Sequence, residues 1–229
     1  MDAEILVRGL VWYVVFLFSA TAHEAAHAWA ARRGGDSTAY LGGQLSLDPI
    51  PHIRREPFGM LLVPVLSFFL NDFDWMIGWA SAPYNIAWAL RHPTKAAWMS
   101  LAGPTANLTI ALVAGLALRA GFQAGMFDLG FGGGLHELYV GNGAAGGAAM
   151  ILSLLFSLNA VLFFFNLIPI PPLDGSGAIG LLLPEDMARR LRLAFTQPTF
   201  AFAGMIFAYM FGGKLITPAL VWAIHLLRA

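Results

Sequence analysis

The chain has 229 residues, of which 58% are hydrophobic and only 11% are charged. Soluble domains carry about 25% charged residues, so this composition excludes an ordinary soluble protein and indicates an integral membrane protein. The formal net charge of zero gives no argument for a nucleic-acid partner, and the absence of cysteine excludes disulfides, thiolate metal ligands and a cysteine nucleophile.

A membrane helix is predicted over residues 5–33, and it carries a polar pentapeptide. The run over residues 10–31 is long enough to cross a bilayer and is otherwise almost wholly apolar, yet it contains His-Glu-Ala-Ala-His starting at His23. On a helix, His23 and His27 lie at i and i+4, so both rings point from one face. With Glu24 as an adjacent general base, this is the spacing by which H-E-x-x-H binds zinc. The alternative is a pair of core histidines bonded to neighbouring helices, although ionisable residues at membrane depth generally have a function.

The next predicted elements are a short strand and a re-entrant segment. Leu45, Leu47 and Ile50 nearly alternate with polar residues, which predicts a short edge strand. An exposed edge of this kind can accept an extended peptide as an added strand, by β-augmentation. Residues 58–70 are apolar but too few to span, and residues 75–90 are aromatic-rich and interrupted by a proline. Together they predict a re-entrant or hairpin pair instead of two spanning helices.

Two further spanning helices and a C-terminal hairpin complete the predicted fold. Residues 96–118 form a strongly apolar span, a glycine-rich loop follows, and residues 148–168 span again before a proline-rich break. The predicted fold class is an all-α membrane protein, a polytopic bundle of about five to six transmembrane helices with one re-entrant segment and a short β element. The chain is predicted to form a single domain over residues 1–229, with core segments 5–33, 96–118 and 148–175 and a C-terminal hairpin over 199–228.

Basic residues predict the orientation, because cytoplasmic loops carry an excess of lysine and arginine. In this topology few basic residues fall on the side of the N-terminus: Arg8, Arg119 and Lys214. The others fall on the opposite side: Arg32, Arg33, Arg54, Arg55, Arg91, Lys95, Arg189, Arg190, Arg192 and Arg228. That side is therefore predicted to be cytoplasmic, with the N-terminus outside. His23 precedes the basic end of its helix by about 13 Å, which places the site inside the membrane but nearer the cytoplasmic face.

A catalytic zinc ion needs three protein ligands and an open position, so the two histidines need a third partner. The best candidate is Asp174, which follows a helix broken by Pro169, Pro171 and Pro172 near the predicted depth of the histidines. Proline ends the helix because it lacks a backbone donor, and Gly175 permits a turn that can aim the carboxylate inward. For this segment alone, a helix end with an Asp-Gly turn would be the simpler interpretation.

Together, these motifs resemble the site-2 protease family of intramembrane zinc metalloproteases. HEAAH at residues 23–27 and NLIPIPPLDG at residues 166–175 are similar to two family motifs, and LAGPTANL at residues 101–108 resembles the family's Gly-Pro-x-x-Asn motif on its middle core helix. Residues 42–53 also resemble the family, whereas residues 78–85 match the related loop only in part, without its usual lysine and second proline. The small bacterial and archaeal members, which have no PDZ or CBS domain, are the most similar in form.

The resemblance implies a function for the chain and roles for particular residues. It implies a zinc metalloendopeptidase that hydrolyses peptide bonds in or near transmembrane segments of protein substrates within the lipid bilayer. It further implies one zinc ion per chain, bound by His23, His27 and Asp174, with Glu24 as the catalytic acid–base. The substrate-binding residues that it implies are Asn107, Asn166, Pro169 and Pro171. For the asparagine at 107, an interhelical hydrogen bond is an equally good interpretation.

Two alternatives remain open. A zinc protease of the prenyl-protein-processing kind takes a glutamate as its third ligand, but the later glutamates, Glu56, Glu137 and Glu185, lie in no suitable helical motif. The other alternative is a non-proteolytic zinc-binding membrane transporter or adaptor. A transporter should show polar residues spread along several spans or an internal repeat, and the sequence shows neither.

Overall fold

The chain folds almost entirely into helices. The computed structural model describes residues 3–131 and 134–228, apart from the side chain of Tyr209. The helices within these residues are, in chain order, α1 (Ala3–Gly34), α2 (Thr38–Leu41), α3 (Pro49–Arg55), a π-helical turn (Phe58–Leu62) continued by α4 (Val63–Leu70), α5 (Ile86–Arg91), α6 (Pro93–Gln123), α7 (Gly143–Asn166), α8 (Gly175–Ala178) continued by a 3₁₀ turn (Ile179–Leu182), α9 (Glu185–Phe195) and α10 (Pro198–Arg228). Two short strands, β1 (Asp128–Leu129) and β2 (Tyr139–Val140), pair antiparallel between α6 and α7.

Of the described helices, four are long and apolar enough to cross a membrane: α1, α6, α7 and the second part of α10, Met210–Arg228. In lipid, a helix is the form in which a single segment satisfies all of its own backbone hydrogen bonds, which explains why these apolar runs are helical. The prediction of an all-α, polytopic membrane protein is therefore confirmed. The number of spans in the described part of the chain is smaller than the predicted number of about five to six.

The helix α6 packs against both α1 and α7, and small residues on it allow a close approach. Ala111, Ala114 and Leu118 of α6 are buried in one cluster with Phe156 of α7. At Gly115, an added Cβ atom would meet the Phe156 ring at 3.1 Å, so little room exists for a larger side chain. Because lipid is as apolar as the side chains, close packing of this kind is a main source of attraction between transmembrane helices. The inner face of α6 is therefore held in a fixed position relative to its neighbours.

The residues between α3 and α5 form a hairpin of a short helix and an extended return segment. The helical arm, Phe58–Leu70, is about 20 Å long, which is too short for a hydrocarbon core of about 30 Å. Residues 75–85 return without helix or strand. The N–H of Trp79 donates to the carbonyl of Gly59 at 3.1 Å, and a Cβ atom at Gly59 would collide with Trp79. The predicted hairpin is confirmed, with its second arm extended instead of helical.

The strand predicted around Leu45 and Leu47 is wrong, because these residues form bends that lead into α3. Asp48 is the N-cap of that helix: its carboxylate accepts from the N–H of Ile50 at 3.0 Å, and Pro49 follows at the first helical position. The apparent alternation therefore belongs to a loop and a helix start. Strand addition at this place has no structural basis, and the β pair that does form lies in the glycine-rich segment after α6.

The C-terminal hairpin predicted over 199–228 is also wrong, because α10 is one continuous helix. The glycine pair at 212–213 weakens a helix by about 1 kcal/mol per residue, but a turn there would leave backbone groups unpaired in apolar surroundings, which costs more. As a consequence, Arg228 lies on the side of the N-terminus, where its guanidinium donates to the carbonyl of Gly130 at 2.9 Å. The other side then carries nine of these basic residues instead of ten, so the excess on that side keeps its sign.

A buried carboxylate ties the end of α1 to the extended segment. Asp36 accepts hydrogen bonds from the N–H of Asn85 at 2.7 Å and from the N–H and hydroxyl of Thr38 at 3.0 and 2.5 Å. Burial by itself would raise the pKa of Asp36, but the Thr38 hydroxyl and the two backbone donors together lower this pKa below its ordinary value of 3.8. The fold therefore stabilises the ionised form.

We expect Asp36→Asn to destabilise the protein at pH 7 by about 1–3 kcal/mol, the usual contribution of hydrogen bonds to a charged acceptor. Because the folded pKa lies below 3.8, this contribution is present above that pH and is lost as the pH falls through the folded pKa. In thermal unfolding, with both proteins in the same detergent, the midpoint temperature of Asp36→Asn should lie below that of wild type at pH 7. This difference should become smaller below about pH 4. Asp186→Asn, at an exposed side chain of α9, is the control. Equal midpoints for Asp36→Asn and wild type at pH 7 would contradict this role.

Candidate metal centre

Three residues that the sequence predicts as metal ligands come from two distant parts of the chain and converge inside the bundle. α1 contributes His23 and His27, and the turn after α7 contributes Asp174. The Nε2 atoms of the histidines lie 3.0 Å apart, and carboxylate oxygens of Asp174 lie 2.9 Å from Nε2 of His23 and 3.2 Å from Nε2 of His27. Both histidines are at most 9% exposed. The structure thus brings together the residues that the sequence predicts as metal ligands.

The break after α7 is what places Asp174 at the site. α7 ends at Asn166, and the proline-rich residues that follow form turns. At Gly175, an added Cβ atom would collide with the carbonyl of Leu167, so glycine is needed for the chain to fold back on the end of α7. The carbonyl of Asp174 then accepts from the N–H of Ala178 at 2.8 Å, which anchors the start of α8.

The second ring nitrogen of each histidine faces an oxygen atom on α6. Nδ1 of His23 lies 2.5 Å from Oδ1 of Asn107, and Nδ1 of His27 lies 2.7 Å from the carbonyl oxygen of Met99. Each oxygen accepts, so each Nδ1 donates its hydrogen, and in the neutral form of each ring Nε2 keeps a lone pair. Met99, Gly103 and Asn107 follow one another at intervals of four residues, which places them on one face of α6. Such outer partners are what orient histidines for metal binding.

The ligand atoms and the space between them fit a tetrahedral zinc ion. Zinc binds imidazole and carboxylate at about 2.0–2.2 Å, which puts neighbouring ligand atoms about 3.3 Å apart. The distances here are 3.0, 2.9 and 3.2 Å. Two lone pairs 3.0 Å apart repel each other unless a positive centre lies between them. Room for that centre depends on Gly103, because an added Cβ atom would lie 2.5 Å from Nε2 of His23 and would collide with Nε2 of His27.

A cavity of about 270 Å³ opens onto the ligands. Glu24 lines it, and its carboxylate lies within 4.8 Å of the ligand atoms of both histidines. This carboxylate makes no hydrogen bond to the residues that the structure describes, so it is available to accept a proton from a water molecule in the cavity. The extended segment contributes residues 80–84 to the wall, and Arg192 of α9 also lines it.

Of the three residues near the helix break that are predicted to bind substrate, one lines the cavity and two do not. Asn166 lines the cavity, and its amide donates to a carbonyl of its own helix at 3.0 Å. Pro169 is exposed and Pro171 is buried against Gly204 of α10, and neither contributes to the described cavity wall. Roles for all three in substrate binding stay predictions.

Asn107 is fully buried, and both ends of its amide have protein partners. Its oxygen faces His23, and its nitrogen donates to Oδ1 of Asn159 on α7 at 2.7 Å. The interhelical hydrogen bond that the sequence leaves open as an alternative is therefore present. A contact between this amide and a substrate stays a prediction.

Several residues that build the site are not among those predicted from the sequence. The sequence does carry a signal for Asn159, because an asparagine in an apolar helix needs partners within the membrane. Gly103 carries a weaker signal, since small residues also serve ordinary helix packing. Met99 contributes its backbone carbonyl, which no side-chain pattern reveals.

The later glutamates do not join the ligand group in the described part of the chain. Glu56 and Glu185 accept hydrogen bonds from the hydroxyl groups of Ser81 and Thr94, and Glu137 lies in the segment between α6 and α7. The carboxylate of Asp174, by contrast, lies 2.9 and 3.2 Å from the two imidazoles, which disfavours the alternative that uses a glutamate as the third ligand.

Comparison with known proteins gives a match over most of the chain. The sequence model of Peptidase family M50 matches residues 11–211, which include α6, α7 and the three predicted metal ligands. A Bacillus subtilis protein named "Putative zinc metalloprotease YwhC" is 32% identical over 209 residues, which cover 90% of this chain and 84% of that protein. No solved structure matches the chain.

Two mycobacterial relatives are longer than this chain. A Mycolicibacterium smegmatis protein named "Putative zinc metalloprotease Rip2" is 29% identical over 212 residues, which cover 90% of this chain and 66% of that protein. Its namesake in Mycobacterium tuberculosis is 31% identical over 179 residues, which cover 77% and 58% respectively. The chain thus spans about two thirds or less of these two proteins.

We expect Gly103→Ala to bind no zinc, because the added methyl group would occupy the space between the two Nε2 atoms. The zinc content of the purified protein should fall to background while its helical circular dichroism stays unchanged. Gly147→Ala is the matched control, since this glycine of α7 has open space around it and its variant should keep the wild-type zinc content. Normal zinc content in Gly103→Ala would show that the ion binds elsewhere.

Proposed function

Because the chain belongs to Peptidase family M50, the site-2 protease family of zinc metalloproteases, we propose that it hydrolyses peptide bonds in or near transmembrane segments of membrane proteins. One observation carries this proposal: His23, Glu24, His27 and Asp174 meet inside a bundle of apolar helices. A site at that depth suits a substrate that itself enters the bilayer. Each chain would bind one zinc ion, since the described residues form a single group of this kind.

The site would lie nearer the cytoplasmic face. His27 is about 10 Å along α1 from the end of that helix. The same end of the molecule carries Arg32 and Arg33 and the arginine-rich α9. These arginines support a cytoplasmic location for that end, because basic residues are retained on the cytoplasmic side. The N-terminus would then be outside. Water would reach the cavity from the cytoplasm over a short distance.

Glu24 would carry the proton transfers of the reaction. Zinc, when bound by the three ligands, supplies the Lewis acidity that activates water near neutral pH and polarises a peptide carbonyl. The carboxylate of Glu24 takes a proton from the attacking water and passes it to the leaving amine nitrogen. The carbonyl of Met99 and the amide of Asn107 hold the two imidazole rings in one orientation throughout.

The extended segment would receive the substrate chain. A helical substrate has its carbonyls in i to i−4 hydrogen bonds and must unwind before hydrolysis. Residues 80–84 run beside the cavity without forming a helix or strand, and Gln44 holds them by donating to the carbonyl of Ser81 at 2.9 Å. An unwound peptide could pair with the remaining backbone groups as an added strand. We therefore assign the proposed strand addition to this segment and not to the region near Leu45.

We expect Glu24→Gln to keep its zinc and to lose cleavage by about 10²–10⁴-fold, because an amide cannot accept the proton. The assay uses a panel of synthetic single-span polypeptides reconstituted with the protein in liposomes, and mass spectrometry locates the cuts. Glu137→Gln, between α6 and α7 on the far side of the molecule, is the control and should cleave at the wild-type rate.

Three outcomes of this assay separate the alternatives. Cuts within or beside the apolar segment by wild type alone support the proposal. Cleavage by Glu24→Gln at the wild-type rate would refute the mechanism. Wild-type protein that binds zinc but cuts none of the polypeptides would favour the non-proteolytic zinc-binding transporter or adaptor.

The orientation can be tested directly because the chain contains no cysteine. Asp128→Cys in β1 and Asp186→Cys in α9 each introduce one thiol at an exposed position, at opposite ends of the bundle. A membrane-impermeant maleimide should label Asp128→Cys in intact cells and Asp186→Cys only after permeabilisation. The reverse pattern would place the N-terminus in the cytoplasm and contradict the proposed orientation.

A further inference from the structure

We propose that Asn159 is a positioning residue that fixes the tautomer of His23, so that Nε2 of this ring is free to bind zinc. The inference rests on the zinc site of the proposed function. Asn159 is fully buried in α7, among largely apolar residues. Among the described residues its side chain makes no hydrogen bond to a ligand residue, and it acts through Asn107 of α6.

The two histidines of the site are held by different kinds of acceptor. Nδ1 of His27 faces the backbone carbonyl of Met99, which can only accept, so the neutral ring must carry its hydrogen on Nδ1. Nδ1 of His23 faces the side-chain amide of Asn107. If that amide rotated by half a turn, it would present its NH₂ group, and His23 would have to carry its hydrogen on Nε2. A hydrogen at that position would block the metal.

Asn159 opposes this rotation through hydrogen bonds of fixed direction. Its Nδ2 donates to the carbonyl of Leu155 and to the hydroxyl of Ser19 on α1, both at 2.8 Å. Since a backbone carbonyl never donates, the atom that faces it must be the nitrogen, and the oxygen of Asn159 must point toward α6. That oxygen accepts from Nδ2 of Asn107, which leaves Oδ1 of Asn107 for His23. The backbone carbonyl of Leu155 thus sets the direction of every hydrogen bond in this series.

Burial makes the reversed arrangement unfavourable. The hydrogen bonds of this series are closed to solvent, because its side chains are fully buried: Ser19, Asn107 and Asn159. If Asn107 were reversed, its oxygen would face the oxygen of Asn159, and both groups would lose their hydrogen bonds without compensation. The tautomer of His23 is therefore set in the folded protein before any metal arrives.

The test measures zinc affinity by titration of Zn²⁺ against a competing fluorescent chelator, with full-length variants in detergent. Asn159→Leu replaces the amide with an apolar side chain of similar size and leaves Asn107 free to rotate. We expect its affinity to fall about 10–100-fold, the usual effect of losing an outer partner of a metal ligand. Ser157→Ala is the matched control, because it removes a buried hydrogen bond of 2.9 Å from the same helix and should keep the wild-type affinity.

A second substitution tests whether Asn159 acts by orienting the amide of Asn107 or only by filling space between the helices. In Asn107→Asp/Asn159→Leu both oxygens at position 107 accept, so the tautomer of His23 no longer depends on position 159. Zinc affinity should return close to the wild-type value, which would not happen if Asn159 served only to fill space. Nitrogen-15 spectra of zinc-free, histidine-labelled protein should show the hydrogen of His23 on Nδ1 in wild type and partly on Nε2 in Asn159→Leu.

Folding is checked by circular dichroism, and Asn159→Ala replaces Asn159→Leu if the latter does not fold. The proposal would be overturned if a folded variant at position 159 bound zinc with the wild-type affinity. It would also be overturned if Asn107→Asp, added to Asn159→Leu, did not restore the zinc affinity. Wild-type protein that binds no zinc would overturn the proposed function instead, so the two failures are distinguishable.

Discussion

Two imidazole lone pairs and a carboxylate face one another inside an apolar helical bundle. The surrounding residues hold these groups in position. The Nε2 atoms of His23 and His27 are 3.0 Å apart, a distance at which two lone pairs repel. Polar groups at this depth are costly unless every hydrogen-bonding atom has a partner. The oxygen atoms on α6 satisfy Nδ1 of both rings, and Asp174 provides negative charge. A cation at the centre is the remaining requirement, and the space beside Gly103 can hold it.

The helix α6 connects the packing of the bundle with the chemistry of the site. Met99, Gly103 and Asn107 lie one turn apart and supply an acceptor, an open space and a second acceptor. Farther along, small residues such as Gly115 seat α6 tightly against α7. Since one helix carries all of these contacts, a slide of α6 along its axis would disturb both imidazole rings together. Rigid packing is thus what keeps the site in its metal-binding geometry.

Local sequence patterns were sufficient to predict those parts of the site that lie within a single segment. The spacing of His23 and His27 and the proline break before Asp174 follow from short-range rules. The bond from Asn159 to α6 could not be predicted, because it depends on how two helices are rotated about their axes. Three apolar residues in alternation at 45–50 were too few to separate a strand from a capped helix. The hairpin predicted over 199–228 requires a turn within α10 that apolar surroundings disfavour.

Zinc coordination by His23, His27 and Asp174 is the condition on which the proposed reaction depends. X-ray absorption at the zinc edge, recorded on purified wild type and Asp174→Ala, tests it most directly. We predict nitrogen and oxygen ligands with imidazole scattering from two histidines in wild type, and loss of bound zinc in Asp174→Ala. A wild-type spectrum without imidazole scattering, or the same spectrum and zinc content in both proteins, would contradict this account.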